Sequence, residues 1–303
     1  MSETFVIPAM GWLPDYPDIR DVTFQSERVP SKLQALGQPS VKQMLAKVGA
    51  TTSAPAALPT SVDLRPWCSL IEDQKTIGSC TAHAGVGLVE YFERRAFGKH
   101  LDASRLFLYK VTRNLLKWTG DTGAFLRSTM YALTLFGVPP EEYYPYNIAD
   151  FDKEPSAFCY AFAQSFQAIS YYRLDPPGTT RSNLLTQIKT YLANGLPSMF
   201  GFTVYSSISQ GNTTGKIPYP TRGERVLGGH AIDAVGYDDN LKIKNTNAGG
   251  IETTGALLIR NSWGTGWGSA GYGWLPYKYV LDGLATDWWS LIKSEWVDTG
   301  QFG

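Results

Sequence analysis

The sequence lacks the features that mark several classes of protein. Its 27 basic and 27 acidic side chains cancel, and no run of like charge indicates a nucleic-acid or anionic-membrane partner. No apolar run approaches the roughly 18 residues that would predict a transmembrane helix. Residues 1–8 lack the basic and apolar regions of a signal peptide. What is left is a globular chain, and 303 residues suffice for one large or two ordinary domains.

Cysteine and histidine are scarce, so each can be considered in turn. The cysteines are Cys68, Cys80 and Cys159, an odd number for a disulfide framework. If Cys80 is a free thiol, one bridge at most is possible, between Cys68 and Cys159. Cys80 and His83 have no second pair of ligands at suitable spacing, so we expect no metal and no other cofactor.

Residues 1–58 differ from the rest of the chain. Residues 11–21 are Pro-rich and extended, residues 40–48 have the apolar spacing of a short amphipathic helix, and residues 49–59 form a linker of small residues and Pro. Two interpretations stay open: a structured N-terminal extension, or a removable prosegment.

Residues 59–303 divide into two halves. The first, about 70–163, is helical, with helices beginning after Cys80, over 104–116 and over 126–136. The second, about 164–303 together with 59–69, has β-type runs at 198–205, 231–237 and 255–261 and one helix over 181–193. This order predicts an α+β fold with its site in the cleft between the halves.

Cys80 lies in the stretch around which the chain is organised, residues 73–83. A polar turn containing Gly78 leads there into a helix of small residues. A helix N-terminus favours a thiolate, which is the nucleophilic form of cysteine. Cys80 is therefore predicted to be a nucleophile that needs a base.

Each of the three histidines is a candidate base. His83 lies on the same helix as the thiol without an obvious partner to orient it, which is typical of a core residue, and His100 lies in a polar loop. His230 follows two glycines and opens a β-run, so it is the best candidate. Asn261 ends a second β-run before a Trp large enough to exclude water, and it completes a cysteine, base and amide arrangement.

These motifs resemble the papain and cathepsin family of cysteine peptidases. The resemblance rests on Gly78-Ser-Cys80, Gln74 six residues earlier, Gly229-His-Ala-Ile before Val-Gly-Tyr, Tyr144-Pro-Tyr146 and Asn261-Ser-Trp-Gly-Thr-Gly-Trp-Gly. The motifs occur in the family's order over residues 59–285. The resemblance implies a papain-like two-domain fold, with a helical left domain, an antiparallel β-barrel-like right domain and the active site between them.

The resemblance also implies roles. Cys80 attacks the peptide carbonyl from a resting thiolate–imidazolium pair, and His230 protonates the leaving amine. Asn261 holds the imidazole, Trp263 shields that contact, and Gln74 with the Cys80 backbone N–H forms the oxyanion hole. Seven positions are expected at the substrate: Gly123, Ala124, Phe125, Leu126, Gly201, Gly228 and Trp263.

The glycines would leave a roomy S2 pocket that accepts bulky apolar side chains. Phe125 and Leu126 could instead be core residues at the start of a helix.

Some positions depart from the family pattern. Ile77 and Asp121 stand where the family usually has disulfide cysteines, so packing must supply that stability, and Thr81 replaces an aromatic residue. These differences suggest a divergent, bacterial branch. The added length before Asn261 predicts a longer hairpin loop over about 239–254.

The resulting prediction is a cysteine endopeptidase made as a self-inhibited zymogen, with residues 1–58 covering the cleft. We expect a monomer that acts on peptides or proteins, and secretion, because self-inhibition is most useful to a secreted protease. One alternative is a catalytically silent peptide-binding homologue whose N-terminal segment stays bound permanently. Another is amide transfer by the same three residues.

Overall fold

The structure is a computed structural model that describes residues 9–29, 31, 34, 37–50, 57–166 and 170–303. The predicted linker lies partly outside these residues, at 51–56. The α-helices are α1 (Val41–Lys47), α2 (Cys80–Phe97), α3 (Arg105–Leu115), α4 (Leu126–Phe136), α5 (Ala157–Ala163), α6 (Arg181–Ala193), α7 (Tyr277–Leu281) and α8 (Ser294–Val297). The strands are β1 (Ser61–Asp63), β2 (Ser170–Arg173), β3 (Ser198–Tyr205), β4 (Val226–Lys244), β5 (Glu252–Arg260), β6 (Tyr272–Pro276) and β7 (Ala285–Ile292).

The strands form one antiparallel sheet in the order β2-β7-β3-β4-β5-β6, and β1 also pairs with β4. The sheet follows a mainly helical part of the chain, so the predicted α+β class is confirmed. The runs predicted at 198–205 and 231–237 lie within β3 and β4, and the run predicted at 255–261 covers β5 from residue 255 to its end at Arg260. None of the described helices is long and apolar enough to cross a membrane.

Small residues bring α2 close to the sheet. The helix packs against β4, α3 and α4, and its first 13 residues are buried. A Cβ at Gly87 would lie 2.3 Å from Arg260 Nη1 of β5. The Ala- and Gly-rich start of α2 therefore fixes Cys80 at the junction of the two halves.

Capping residues set the ends of the helices beside α2. Ser104 accepts a hydrogen bond from the Phe107 N–H at 3.1 Å, as predicted for the start of α3. Gly137 ends α4 with φ of 73°, a conformation that favours glycine. The predicted helices over 126–136 and 181–193 have these same bounds as α4 and α6.

Hydrogen bonds take the place of the missing disulfide. All three cysteines are free and buried, so the possible Cys68–Cys159 bridge is not formed. The Asp121 carboxylate accepts from the Gly78 N–H at 2.9 Å and from the Tyr109 hydroxyl at 2.5 Å. The expectation that packing alone compensates was therefore incomplete.

The loop predicted over 239–254 is mostly strand. β4 and β5 pair as far as Lys244 and Glu252, which leaves a turn over residues 245–251. Asn245 donates to the Tyr219 carbonyl at 2.9 Å and to Glu224 at 2.7 Å. The longer hairpin is thus a pair of extended strands whose tip is held by a neighbouring loop.

Candidate active site

The turn before Cys80 is held from several sides. Gln74 N–H donates to the Ser262 carbonyl at 2.8 Å, and Ser79 Oγ lies 2.6 Å from the Tyr146 hydroxyl. With the Asp121 contact to Gly78, these bonds fix the backbone from which α2 starts. Cys80 is the first residue of α2 and has no exposed surface.

His230 on β4 is oriented by Asn261. Nε2 of the ring lies 2.8 Å from Oδ1 of the amide, which also accepts from the Ser262 N–H at 2.8 Å. Because an amide oxygen can only accept, Nε2 carries the hydrogen and a neutral ring has its lone pair on Nδ1. Trp263 stacks on the imidazole, with ring centroids 4.6 Å apart.

The thiol lies beside the strand that carries this ring. The N–H of Ala231, the residue after His230, donates to Cys80 Sγ at 3.5 Å. His230 Nδ1 has no hydrogen-bond partner among the described residues. The start of α2 and the middle of β4 therefore meet at the thiol, and the Nδ1 lone pair of the ring is unpaired among the described residues.

Gln74 presents its amide N–H group to the same site. Its Oε1 accepts from Ser262 Oγ at 2.7 Å, which fixes the orientation of the side chain. Its Nε2 donates to the Ala9 carbonyl at 2.7 Å and to the Ile77 carbonyl at 3.0 Å. A carbonyl oxygen of the chain's own N-terminal segment thus occupies the donor expected to stabilise an oxyanion.

Residues 9–13, which we call the covering segment, lie along the cleft. Trp12 N–H donates to the Gly229 carbonyl and Leu13 N–H to the Ala124 carbonyl, each at 3.1 Å, while Ala124 N–H donates to the Gly11 carbonyl at 2.8 Å. Trp12 and Ala124 pair in parallel. The edge at 123–124, predicted to bind substrate backbone, is therefore occupied by this segment.

The glycines predicted for the pocket also contact the covering segment. A Cβ at Gly201 would lie 1.9 Å from the Trp12 indole, and one at Gly228 would lie 3.0 Å from Met10 Sδ. Gly229, which the sequence analysis did not select, contacts the same indole. The Trp12 side chain is buried, with the residue 6% exposed.

Phe125 and Leu126 follow Ala124 at the start of α4. Leu126 is fully buried as the first residue of α4, as in the alternative interpretation of a core residue. Phe125 is half-buried and packs on Trp118, with ring centroids 5.5 Å apart.

Burial shifts the pKa values of Cys80 and His230 in opposite directions. Burial raises the pKa of the Cys80 thiol to about 11, although nearby backbone N–H groups act in the opposite direction. Burial also lowers the pKa of His230 to about 4, against the contact with Asn261. Burial of both groups under the covering segment therefore opposes the expected thiolate–imidazolium pair while the cleft is covered.

The other histidines lie elsewhere. His83 is buried in the core, where its Nδ1 lies 3.1 Å from the Ser79 carbonyl and burial lowers its pKa to about 3. His100 is half-buried, so it is less solvated than its polar loop suggested. No group of three or more possible metal ligands occurs within the part of the chain that the structure describes.

Two residues that meet at the cleft escaped the sequence analysis. Trp12 Nε1 donates to Asp287 Oδ2 at 3.1 Å, a contact across 275 residues of sequence. Asp287 has φ of 63°, in the left-handed region that a non-glycine residue seldom adopts. The one signal for Asp287 in the sequence was an acidic residue within an otherwise mainly apolar run, since none of the family motifs includes this position.

Comparison with known families agrees with this geometry. Residues 58–282 match the family model described as "Papain family cysteine protease". The chain belongs to the papain family.

Papain-family relatives span nearly the whole chain. An uncharacterized peptidase C1-like protein of Acanthamoeba polyphaga mimivirus is 32% identical over 298 residues, covering 95% of this chain and 88% of the relative. The crystal structure of xylellain, a cysteine protease from Xylella fastidiosa, is similar with a TM-score of 0.71 and 31% identity, covering 94% of this chain and 96% of that chain. Cysteine proteinase 2 of Entamoeba histolytica is 28% identical over 76% of this chain and 67% of the relative.

These papain-family relatives come from a virus, a bacterium and an amoeba. They therefore do not support the expectation of a specifically bacterial branch.

Proposed function

We propose that the protein is a cysteine endopeptidase that hydrolyses peptide bonds through Cys80, His230 and Asn261. The observation that carries the proposal is one site in which a thiol, an oriented imidazole and an amide donor meet. Asn261 fixes the ring so that Nδ1 is the acceptor, and Gln74 directs its Nε2 into the site. Each of these groups is held by a second contact, which is the preorganisation that catalysis requires.

The proposed reaction has two steps. The Cys80 thiol gives its proton to His230 Nδ1, and the thiolate attacks the carbonyl carbon of the substrate. The oxyanion accepts hydrogen bonds from Gln74 Nε2 and from the backbone N–H of Cys80. His230 then protonates the amine that leaves, which gives a thioester. In the second step His230 takes a proton from water, the hydroxide attacks the thioester carbonyl and displaces the thiolate, and the carboxylic acid leaves; His230 then returns its proton to the Cys80 thiolate.

We further propose that residues 1–58 form a prosegment and that the chain is made as a zymogen. The family match begins at residue 58, and the covering segment fills the cleft. The Gly11 backbone N–H interacts with the Cys80 thiol, so the sulfur meets a donor instead of a carbonyl carbon. This arrangement explains how the segment can occupy the site without being cleaved there.

Charged residues hold the segment beyond the cleft. Arg127 forms ion pairs with Asp15 and Asp21, the latter with its Nε 2.7 Å from the carboxylate. Arg173 Nη1 lies 3.5 Å from Asp21 Oδ2, and the backbone N–H of Arg173 donates to the Val22 carbonyl at 2.8 Å. Release therefore requires these pairs to separate together with the backbone contacts in the cleft. The domain boundary at 58, the monomeric state and secretion remain predictions from the sequence.

The complete burial of Cys80 favours one alternative, a silent homologue with a permanently bound segment. Hydrolysis of a quenched fluorescent peptide mixture by the full chain with reductant separates the two. Activity that Cys80→Ser abolishes supports the peptidase. If Cys80 reacts with a thiol-directed peptide inhibitor while no peptide is cleaved, the alternative is correct.

A further inference from the structure

The pocket that holds the Trp12 indole ends in a buried carboxylate that the proposed mechanism does not use. Gly201 and Gly229 form its walls, and a Cβ at either position would overlap Trp12. Asp287 is fully buried, and its Oδ2 accepts from Trp12 Nε1 at 3.1 Å. The pocket therefore fits a flat ring and places an acceptor where the edge of that ring carries a donor.

We propose that Asp287 determines the specificity of the peptidase, selecting substrates that place a flat aromatic side chain with an N–H donor, tryptophan above all, in this pocket. The inference rests on the proposed function and refines the expectation of a bulky apolar side chain. Under it, Trp12 occupies the pocket because it carries the feature that the pocket recognises.

The partners of Asp287 leave one of its oxygens directed at the pocket. Its Oδ1 accepts from Trp289 Nε1 at 2.7 Å and lies 3.2 Å from Arg173 Nη1. Oδ2 bonds to Trp12. A side chain without a donor would therefore leave a buried acceptor unpaired, and sites built around a hydrogen bond discriminate strongly against such analogues. Burial raises the pKa of Asp287 to about 6, so the group is mainly ionised at pH 7.5.

A cationic side chain is a poorer match than a neutral donor. Arg173 lies beside Asp287 and also pairs with Asp175 at 2.8 Å. Arg127 and Arg173 both lie over the Trp289 ring, and departure of the covering segment removes the two aspartates that pair with Arg127. The two arginines then balance Asp175 and Asp287, so a third cation gains no net attraction and loses its hydration.

The test uses the full chain carrying Trp12→Ala, which empties the pocket. Peptide chloromethyl ketones vary only at the second residue before the reactive carbon: Trp, 3-benzothienylalanine, Phe, Leu or Arg. In 3-benzothienylalanine a sulfur replaces the indole N–H while the ring keeps its shape, so it is the matched control. The readout is the rate of Cys80 alkylation at pH 7.5 by intact mass, with Cys80→Ser to establish the site.

We expect the Trp compound to react about tenfold faster than the benzothienyl compound, as for a hydrogen bond to a charged acceptor. The Arg compound should be no faster than the Leu compound. In Asp287→Asn this Trp advantage should fall to about twofold to threefold, since a neutral acceptor forms a weaker bond. If Asp287→Asn does not fold, the labelling rates of the compounds on the Trp12→Ala chain, which keeps Asp287, still test the proposal.

Equal rates for Trp and benzothienylalanine would overturn the proposal, as would an Arg compound that reacts fastest. Labelling by every compound at the rate of simple iodoacetamide would also overturn it, because the pocket would then recognise nothing. The predicted order of labelling without any peptide hydrolysis supports the pocket and contradicts the proposed function. Peptide hydrolysis together with equal labelling rates for all the compounds would support the proposed function and contradict the proposed pocket.

Discussion

Gly11→Ala should uncover the thiol. A Cβ at this position would lie 1.8 Å from the Gly78 carbonyl oxygen and 2.4 Å from its carbon. The contacted atoms belong to the Gly78 backbone in the turn before α2. Because the Gly78 N–H is hydrogen-bonded to Asp121, moving this backbone would break that bond. We therefore expect the covering segment to be the part that moves.

The contacts of the segment set the size of the effect. Trp12, Leu13 and Ala124 contribute three backbone hydrogen bonds across the cleft, each stabilising by about 1 kcal/mol. Losing two of the three costs about 2 kcal/mol, which is roughly a 30-fold change in an equilibrium constant. Cys80 in Gly11→Ala should therefore react with iodoacetamide at least about 30-fold faster than in the unchanged chain.

Intact mass measures the alkylation, and thermal unfolding checks the fold. Gly266→Ala is the matched control, because a Cβ there meets no atom within 4 Å and its φ is not positive. An unchanged alkylation rate in Gly11→Ala with an unchanged unfolding midpoint would refute the reasoning. It would mean that the segment does not limit access to the thiol.

Three further predictions concern the site and its support. His230→Ala should lower peptide hydrolysis by about 10³-fold and Asn261→Ala by only about tenfold, because Asn261 orients the ring through one bond and transfers no proton; equal losses would contradict these roles. Asp121→Ala removes the acceptor for Gly78 and Tyr109 and should lower the unfolding midpoint by about 2–4 °C, with a smaller loss in Asp121→Asn, which keeps one acceptor oxygen. Burial lowers the pKa of His230 to about 4, so the covered state binds fewer protons than the open one up to the ordinary pKa of about 6.5. Acid should therefore favour opening of the covering segment, by up to about tenfold per pH unit between these two pKa values. Hydrogen exchange of the segment's backbone amides, corrected for intrinsic exchange rates, measures this opening. An opening equilibrium that does not change with pH would contradict the prediction.

Local patterns predicted much of the fold. The bounds of α4, α6 and β3 follow from apolar spacing and from the Gly and Pro residues around them. β7 was not predicted, since its buried Asp287 breaks the apolar alternation and is balanced by Arg173 on another strand. A charge pair that distant in sequence leaves no local pattern.

The features of the candidate site also divide into those that local sequence motifs predict and those that depend on distant contacts. Motif order was enough to select Cys80, His230 and Gln74 as candidates, and in the structure the N–H of Ala231, the residue after His230, donates to Cys80 Sγ at 3.5 Å. The charge state was not predictable, because the helix N-terminus is a local effect whereas burial of the thiol depends on residues 9–12. The Trp12–Asp287 contact was missed for the same reason, since it joins the two ends of the chain.

Incubation of the full chain with reductant tests the central claim most directly, that a covered Cys80 site belongs to a self-processing peptidase. The mass of 33.4 kDa for 303 residues is about 110 Da per residue, so release of 58 residues corresponds to a loss of about 6 kDa. The account predicts this loss at mildly acid or neutral pH, and predicts that Cys80→Ser stays intact. Persistence of the full mass, with Cys80 unlabelled by a thiol-directed peptide inhibitor, would contradict it.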